Sequence, residues 1–381
     1  MKYVVLVPDG AADYPLEQLG GKTPLQAADM PNIRKLAADS TVGLTRTIPE
    51  GLPAGSDVAN LSILGYDPTL YYSGRGPLEA AYQGIELMPG DFVFRCNLVT
   101  IKDGKMADYS AGHIDTQEAA KLIKELDKRL GSEKVKFYSG VSYRHLVVFK
   151  DTQLSQIKAV APHDVIGQPL GAIWPEGEGA EILIDLTKKS AEVLKNQPSA
   201  NMIWLWGGGT KKELPSFYER YSLKGGVISA VDLVKGLAVS AGLRAPEIPT
   251  ATGYYDTDYE AKAKEALSVL EKDDFVYVHV EAPDEAGHTG NISEKVKALE
   301  NFDKRLAGLL LQNLDIKNTR ILLLPDHATP IKLRTHTSDA VPFMLYPGES
   351  GARSFDEQAA AKAADGIIEG HRLMQMLVRR K

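Results

Sequence analysis

The sequence predicts an α/β protein, with a central, mostly parallel sheet flanked by helices and a smaller α+β domain inserted into it. Three observations carry that expectation. The first is a repeated pattern: the apolar runs Tyr3–Val7, Phe275–Val280 and Leu322–Leu324 lead into Pro8-Asp9, Pro283-Asp284 and Pro325-Asp326. Short apolar runs bounded by Pro and Gly are the signature of strands buried on both faces, as in a parallel sheet. The second is that helical spacings separate these runs. The third is a change of texture between residues 101 and 182, where a hairpin, a helix and two short strands follow in quick succession.

Taken in order, Val4-Val5-Leu6-Val7 predicts the first central strand, and Asp9-Gly10 turns the chain at its end. Lys22–Ala28 and Asn32–Ala38 have short helical spacing with Pro near their starts. Gly55-Ser56-Asp57-Val58 puts Ser56 near a helix N-terminus, where free N–H groups favour an anionic oxygen or a phosphate. An N-capping role for Ser56 explains the same placement. In Tyr71-Tyr72-Ser73-Gly74-Arg75-Gly76-Pro77 the only charge is Arg75, suited to a phosphate or carboxylate and equally to a surface turn.

Asp91–Thr100, which carries Arg95 and Asn97, predicts a strand, and Lys102-Asp103-Gly104-Lys105 a hairpin. Within the insert, Thr116–Leu130 reads as a helix, and Val135–Tyr138 and His145–Phe149 as strands. Arg144 and His145 form a cation pair at a strand start, whereas His163-Asp164 fits a structural ion pair as well as a functional one. The Gly/Pro stretch Trp174–Gly179 is expected to end the insert, giving a catalytic domain of 1–100 plus 183–381 around an insert of 101–182. Helices are then expected at Asp185–Asn196, Val227–Leu243, Tyr259–Leu270 and Gln358–Arg379, with a strand at Met202–Trp206. Gly207-Gly208-Gly209-Thr210-Lys211-Lys212 superficially resembles a nucleotide loop but lacks the spacing of a phosphate-binding loop.

Composition narrows the function. At 381 residues the chain is long enough for two domains. A net charge of −6 argues against a nucleic-acid or anionic-membrane partner while leaving small anionic substrates open. The lone Cys96 excludes an internal disulfide and a thiolate metal site. No apolar run approaches the ~20 residues of a membrane span. Met1 leads directly into the first strand with no room for a signal peptide, so the expected location is cytoplasmic. Oligomeric state is not legible.

Set together, Asp9, Ser56, Asp284, His288, Asp326, His327 and His336 form a set of carboxylate, hydroxyl and imidazole donors at strand ends. Asp9 alone would pass for a turn residue; the grouping is what carries the reading. Seven donors exceed the needs of one ion, so two divalent cations are expected, Mn²⁺ first, with Zn²⁺, Co²⁺ or Mg²⁺ as alternatives. A close metal pair activates an attacking oxygen and stabilises a phosphoryl transition state.

The segments Val7-Pro8-Asp9-Gly10, Gly55–Asn60, Pro283–Asn291, Pro325-Asp326-His327 and Thr335-His336-Thr337 are similar to the archaeal-type cofactor-independent phosphoglycerate mutases. These belong to the alkaline phosphatase superfamily, and the likeness runs over essentially the whole chain. It implies an alkaline-phosphatase-like sheet, with one metal on Asp284, His288 and His336 and the other on Asp9, Asp326 and His327 with the nucleophile Ser56. It further implies that 3-phosphoglycerate and 2-phosphoglycerate interconvert through a phosphoserine, without 2,3-bisphosphoglycerate, under an insert that covers the substrate. Arg75, Arg95, Arg144, His145 and His163 are the substrate-binding candidates. The insert is much shorter than in the long bacterial mutases, so their substrate-binding arginines do not map onto it. The alternative keeps the metals and changes the substrate, as in a homoserine kinase, a phosphatase or another phosphomutase.

Overall fold

Twelve strands are present among the described residues (1–152, 154–349 and 354–379) of this computed structural model. In chain order they are β1 Lys2–Pro8, β2 Thr41–Arg46, β3 Phe92–Lys102, β4 Lys105–Asp108, β5 Val135–Tyr138, β6 Arg144–Phe149, β7 Met202–Gly209, β8 Gly225–Ile228, β9 Phe275–Val280, β10 Thr319–Leu323, β11 Val341–Tyr346 and β12 Ile367–Glu369. The chain divides into two units, Met1–Tyr72 with Leu214–Lys381, and Ser73–Glu213.

In the first unit seven strands form one sheet in the order β12-β2-β11-β10-β1-β9-β8. The three expected strands are its centre: β1 lies between β9 and β10, parallel to both. Their carboxyl ends therefore coincide, which is where open α/β sheets place their sites. Only β11 runs against its neighbours.

Both faces of this centre are buried, as the unbroken apolar runs require. Val4, Leu6, Val276, Val278, Ile321 and Leu323 join the core with Tyr259, Ala263 and Ala266 of the helix Tyr259–Lys272. The alternate residues Val5, Tyr277 and Leu322, aligned across the three strands, face the other way and are equally buried.

In the second unit β3 is the organising strand. It pairs antiparallel with β4, β6 and β7, and β5 pairs with β6. Phe92, Phe94, Cys96 and Leu98 pack on one face against the helices Thr116–Leu130 and Ala180–Val193. The hairpin forms as expected, with Asp103 and Gly104 both at positive φ between paired Lys102 and Lys105.

Several boundaries depart from the sequence reading. The insert expected at 101–182 is wider, because β3 and β7 are two strands of one sheet and carry the unit out to Ser73 and Glu213. The helix expected over Val227–Leu243 begins only at Asp232, since Gly225–Ile228 extends the parallel sheet beside β9. The closing helix expected over Gln358–Arg379 is broken. Glu357–Ala363 and Leu373–Val378 are helical, but Ile367–Glu369 between them pairs with β2, after Gly366 at φ +142°.

Candidate metal centre

Each strand end delivers its acid by a local device. After β1, Gly10 turns at φ +60°, and a Cβ there would stand 2.5 Å from Asp284 Oδ1 and Thr329 Oγ1. Only glycine lets the turn close beneath the acids. After β9 the chain starts the helix Ala282–Thr289, whose four-residue spacing sets Asp284 and His288 on one face. After β10, Asp326 Oδ1 accepts the N–H groups of Gly10 and His327, both at 3.0 Å. The loop beyond returns through an antiparallel bridge of Ala328 with Thr337, and this brings His336 back nine residues after His327.

Six of the seven expected residues converge in two adjoining clusters, and Ser56 stands beside one of them. In one, Asp284 Oδ2 lies 3.2 Å from His288 Nε2 and Asp284 Oδ1 3.4 Å from His336 Nε2. In the other, His327 Nε2 lies 3.4 Å from Asp9 Oδ1 and 3.5 Å from Asp326 Oδ2. The donor atoms within each cluster all fall within 4.8 Å of one another. The clusters touch, with the His327 and His336 rings 4.2 Å apart.

Ser56 is the first residue of the helix Ser56–Ile63 and sits at the rim. The N-cap position belongs to Gly55, and the Ser56 hydroxyl instead meets His327 Nε2 at 3.1 Å. The capping explanation for this serine is therefore set aside. Asn60 ties the rim to the floor, donating at 2.8 Å both to the Ser56 carbonyl and to Asp326 Oδ2.

The electrostatics are those of a site built around positive charge. Burial, followed by the Asp326 and Asp284 carboxylates, raises Asp9 well above the usual acid range. Burial would raise Asp284 too, but His336 and His288 outweigh it and hold this acid far down. Burial likewise opposes the low value of Asp326, which His327 and His279 enforce. The His327 imidazole is pushed down to about 4 by burial in spite of Asp326. For His288 the balance reverses: Asp284 overcomes burial and holds it at about 9.

The donor set also fits cations. Asp9 Oδ1 is buried with no hydrogen-bond partner, and the His288 and His336 Nε2 atoms face each other at 3.0 Å across Asp284. Carboxylate and imidazole without thiolate is hard-to-borderline divalent-metal chemistry. His288 is oriented from behind, its Nδ1 lying 3.0 Å from the Arg334 carbonyl, as metal-ligating imidazoles are.

The sequence reading missed the supporting residues. His279 in β9, wholly buried, lies 3.4 Å from Asp9 Oδ2 and 3.6 Å from Asp326 Oδ2. Thr329 donates its hydroxyl to Asp284 Oδ1, and Tyr277 donates to Asn60. A signal existed for one of them, since His279 is the only imidazole in the apolar run Phe275–Val280.

In the second unit the substrate-binding candidates separate. The Arg75 and Arg95 guanidinium groups lie over the Trp206 ring at 5.2 and 4.6 Å, with His163 edge-on to the same ring at 5.4 Å. Tyr109 continues from His163 at 5.9 Å to Tyr143 at 5.6 Å, over which Arg144 stands at 5.4 Å. Arg95 is buried and balanced by Glu79 at 3.2 Å. His145 does not join them. It pairs with Cys96, so it shares the core face of the sheet, while Arg144 pairs with Asn97 on the other face. Burial, with Arg95 and Arg144 adding, drives the His145 imidazole down to about 3, and its Nδ1 accepts the Gly140 N–H at 3.0 Å.

Two acid–imidazole clusters and a serine at the carboxyl ends of a mostly parallel sheet define a class: α/β proteins with a centre of the kind used in metal-assisted group transfer. The comparisons give the family. The family model described as 2,3-bisphosphoglycerate-independent phosphoglycerate mutase matches residues 37–200. A protein of that name from Methanosarcina barkeri is 49% identical, with all of both chains covered. A Geobacter sulfurreducens protein named as a probable 2,3-bisphosphoglycerate-independent phosphoglycerate mutase is 48% identical over the full length of both. Among solved structures, the cofactor-independent phosphoglycerate mutase of Thermoplasma acidophilum is 27% identical, covers 99% of each chain and overlaps with a TM-score of 0.64. A Pyrococcus horikoshii protein, 29% identical, covers 100% of this chain and 98% of its own with a TM-score of 0.83. The chain belongs to the 2,3-bisphosphoglycerate-independent phosphoglycerate mutase family.

Proposed function

We propose that the protein interconverts 3-phosphoglycerate and 2-phosphoglycerate through a phosphoserine on Ser56, without 2,3-bisphosphoglycerate. The observation that carries this is the Ser56 hydroxyl, 3.1 Å from His327 Nε2 beside two clusters fitted for cations, in a member of this family. Asp284, His288 and His336 would hold one divalent ion, and Asp9, Asp326 and His327 with Ser56 the other. Mn²⁺ is the first choice, with Zn²⁺, Co²⁺ or Mg²⁺ as alternatives. Such ions lower the pKa of a nearby hydroxyl and neutralise charge that develops on a phosphoryl group.

Ser56 gives up its hydroxyl proton as Oγ attacks phosphorus, the bond from phosphorus to the C3 oxygen breaks, and that oxygen leaves as the glycerate hydroxyl after taking up a proton. The C2 hydroxyl of the same glycerate then loses its proton as it attacks the phosphoserine phosphorus, the bond from phosphorus to Ser56 Oγ breaks, and Oγ takes up a proton to restore the serine. Water must be kept from the phosphoserine, or the outcome is hydrolysis; excluding it is the proposed task of the Ser73–Glu213 unit. Arg75, Arg95, Arg144 and His163 are proposed to bind phosphate and carboxylate, the guanidinium groups and the imidazole oriented by Trp206 and Tyr143. His145 has no part in this.

A kinase reading loses its main support. Gly207–Gly209 belong to strand β7, and a Cβ at Gly208 would fall 2.2 Å from the Phe94 ring, so these glycines serve packing. No helix among the described residues is long and apolar enough to cross a membrane. A cytoplasmic setting belongs to the proposal, in keeping with one buried free cysteine. The test is an enolase-coupled assay on chelator-stripped protein reloaded with Mn²⁺, given 3-phosphoglycerate and no bisphosphoglycerate. Metal-dependent turnover is expected; a fully loaded, inert protein would move the assignment to another phosphoryl substrate.

A further inference from the structure

His279 lies in β9 opposite Val7 of β1, two residues before Asp9. Both of its ring nitrogens are buried without a hydrogen-bond partner of good geometry, yet carboxylates flank them on both sides. On one side are Asp9 Oδ2 at 3.4 Å and Asp326 Oδ2 at 3.6 Å; on the other, Glu281 Oε1 stands 3.3 Å from Nδ1. Glu281 is itself fixed: its Oε1 accepts Ser229 Oγ at 2.9 Å and Ala230 N–H at 2.8 Å, and its Oε2 pairs with Lys262 Nζ at 2.5 Å. Lys262 reaches back to the His279 carbonyl at 2.9 Å. This chain of groups is wholly buried.

The geometry divides Asp9 between two imidazoles. His327 approaches Oδ1, the orphaned oxygen, whereas His279 approaches Oδ2. Asp9 and Asp326 are neighbouring carboxyl groups that interact with each other in a buried site, and His279 Nε2 lies against both. His279 also stands outside the group of mutually close donor atoms formed by Asp9, Asp326 and His327. We propose that His279, braced by Glu281 and Lys262, is a positioning residue that grips Asp9 and Asp326 from behind and turns Asp9 Oδ1 toward the cation. The inference rests on the two-metal reading above and assigns the support of one of its two sites. Partners of metal ligands change affinity by about 10–100-fold when removed.

The test is metal titration of the stripped full-length protein with Mn²⁺ and then Co²⁺, following stoichiometry by calorimetry and coordination by the cobalt absorption bands. Wild type should take up two ions; fewer would remove the two-metal reading, and this inference with it. His279→Ala should leave one site at wild-type affinity and weaken the other about 10–100-fold, with the cobalt bands unchanged at saturation. His279→Gln, which restores an N–H toward the carboxylates, should recover part of the loss. Glu281→Gln, which leaves His279 in place, should weaken the same single site more mildly and covers the case in which His279→Ala fails to fold. Unchanged affinity at both sites in the folded variants would overturn the inference. Altered cobalt bands at saturation in His279→Ala would also overturn it, by making His279 a ligand.

Discussion

In the first unit, Asp9, Asp326 and His327 are buried at the ends of parallel strands, and backbone N–H groups, Asn60 and Thr329 engage their side chains. In the second, Arg144 at the start of the antiparallel strand β6 and His163 in the 3-10 turn Pro162–Val165 stand exposed, each beside an aromatic ring. The two kinds of construction suit different tasks. Donors that must converge on a small cation within tenths of an ångström need a rigid, over-determined frame. Groups that must grip an organic anion in two orientations gain from long side chains over rings, which set direction while leaving reach. Damage to the first region should therefore appear in kcat and metal content, and damage to the second in KM.

The sharpest break of that contrast is Ser56→Ala. Losing the proposed nucleophile should cut kcat by about 10⁴-fold or more, while the circular dichroism spectrum and melting temperature stay close to wild type. Rapid quenching with labelled 3-phosphoglycerate should trap phosphoprotein in the wild type and none in the variant. Substantial turnover by Ser56→Ala would transfer the nucleophile's role elsewhere.

Next in size are the clusters taken one at a time. Asp326→Asn and His336→Asn should each weaken one ion by about 100-fold or more and leave the other site's affinity near wild type. Loss of both ions in either variant would show that the touching His327 and His336 rings couple the clusters into a single unit.

A smaller effect separates the basic residues of the second unit. Arg144→Ala removes an exposed group and should raise KM about tenfold, with kcat little changed. Arg95→Ala strands Glu79 in a buried site, so its melting temperature should fall as well. His145→Gln, altering a residue on the core face, should leave KM alone. A KM rise for His145→Gln matching that of Arg144→Ala would mean that the face assignment does not govern binding.

The legible parts of this molecule are those with local signals. The strands β1, β9 and β10 announce themselves because strands buried on both faces must be apolar throughout, and the acids follow each by a few residues. Asp284 and His288 share a helical face by spacing alone. What stayed hidden depends on pairing between distant segments. That β3 and β7 lie in one sheet, which widens the insert, is a register across about 100 residues and leaves no local trace. The pairing of β3 with β6 sends His145 to the core while its neighbour Arg144 faces the other way. Tertiary pairing likewise overrides helix propensity at Gly225–Ile228 and at Ile367–Glu369. His279 was obscured for another reason: a histidine inside an apolar strand carries no spacing motif, and its meaning comes only from the carboxylates folded against it.

The most delicate way to sharpen the comparison is pH, because it acts on the first region through His288. In the metal-free protein Asp284 holds this imidazole at about 9, above the usual value of 6.5. An imidazole raised on folding stabilises fully below 6.5, and that contribution is lost as pH climbs through about 9. The stripped protein should therefore melt progressively lower across this window. Cations bind the deprotonated ring, so Mn²⁺ affinity should rise across the same window and the melting gap between loaded and stripped protein should widen. Glu357, raised to about 7 by burial, also loses stability with rising pH, but it does so in both forms and cancels from the gap. Because His288 is about one-third exposed, the widening should amount to only about 2–4 °C. His288→Asn should narrow it, leaving the share of His279, which against burial Asp326 and Glu281 hold at about 9; a gap that widens equally in the variant would place the titrating group outside the Asp284 cluster.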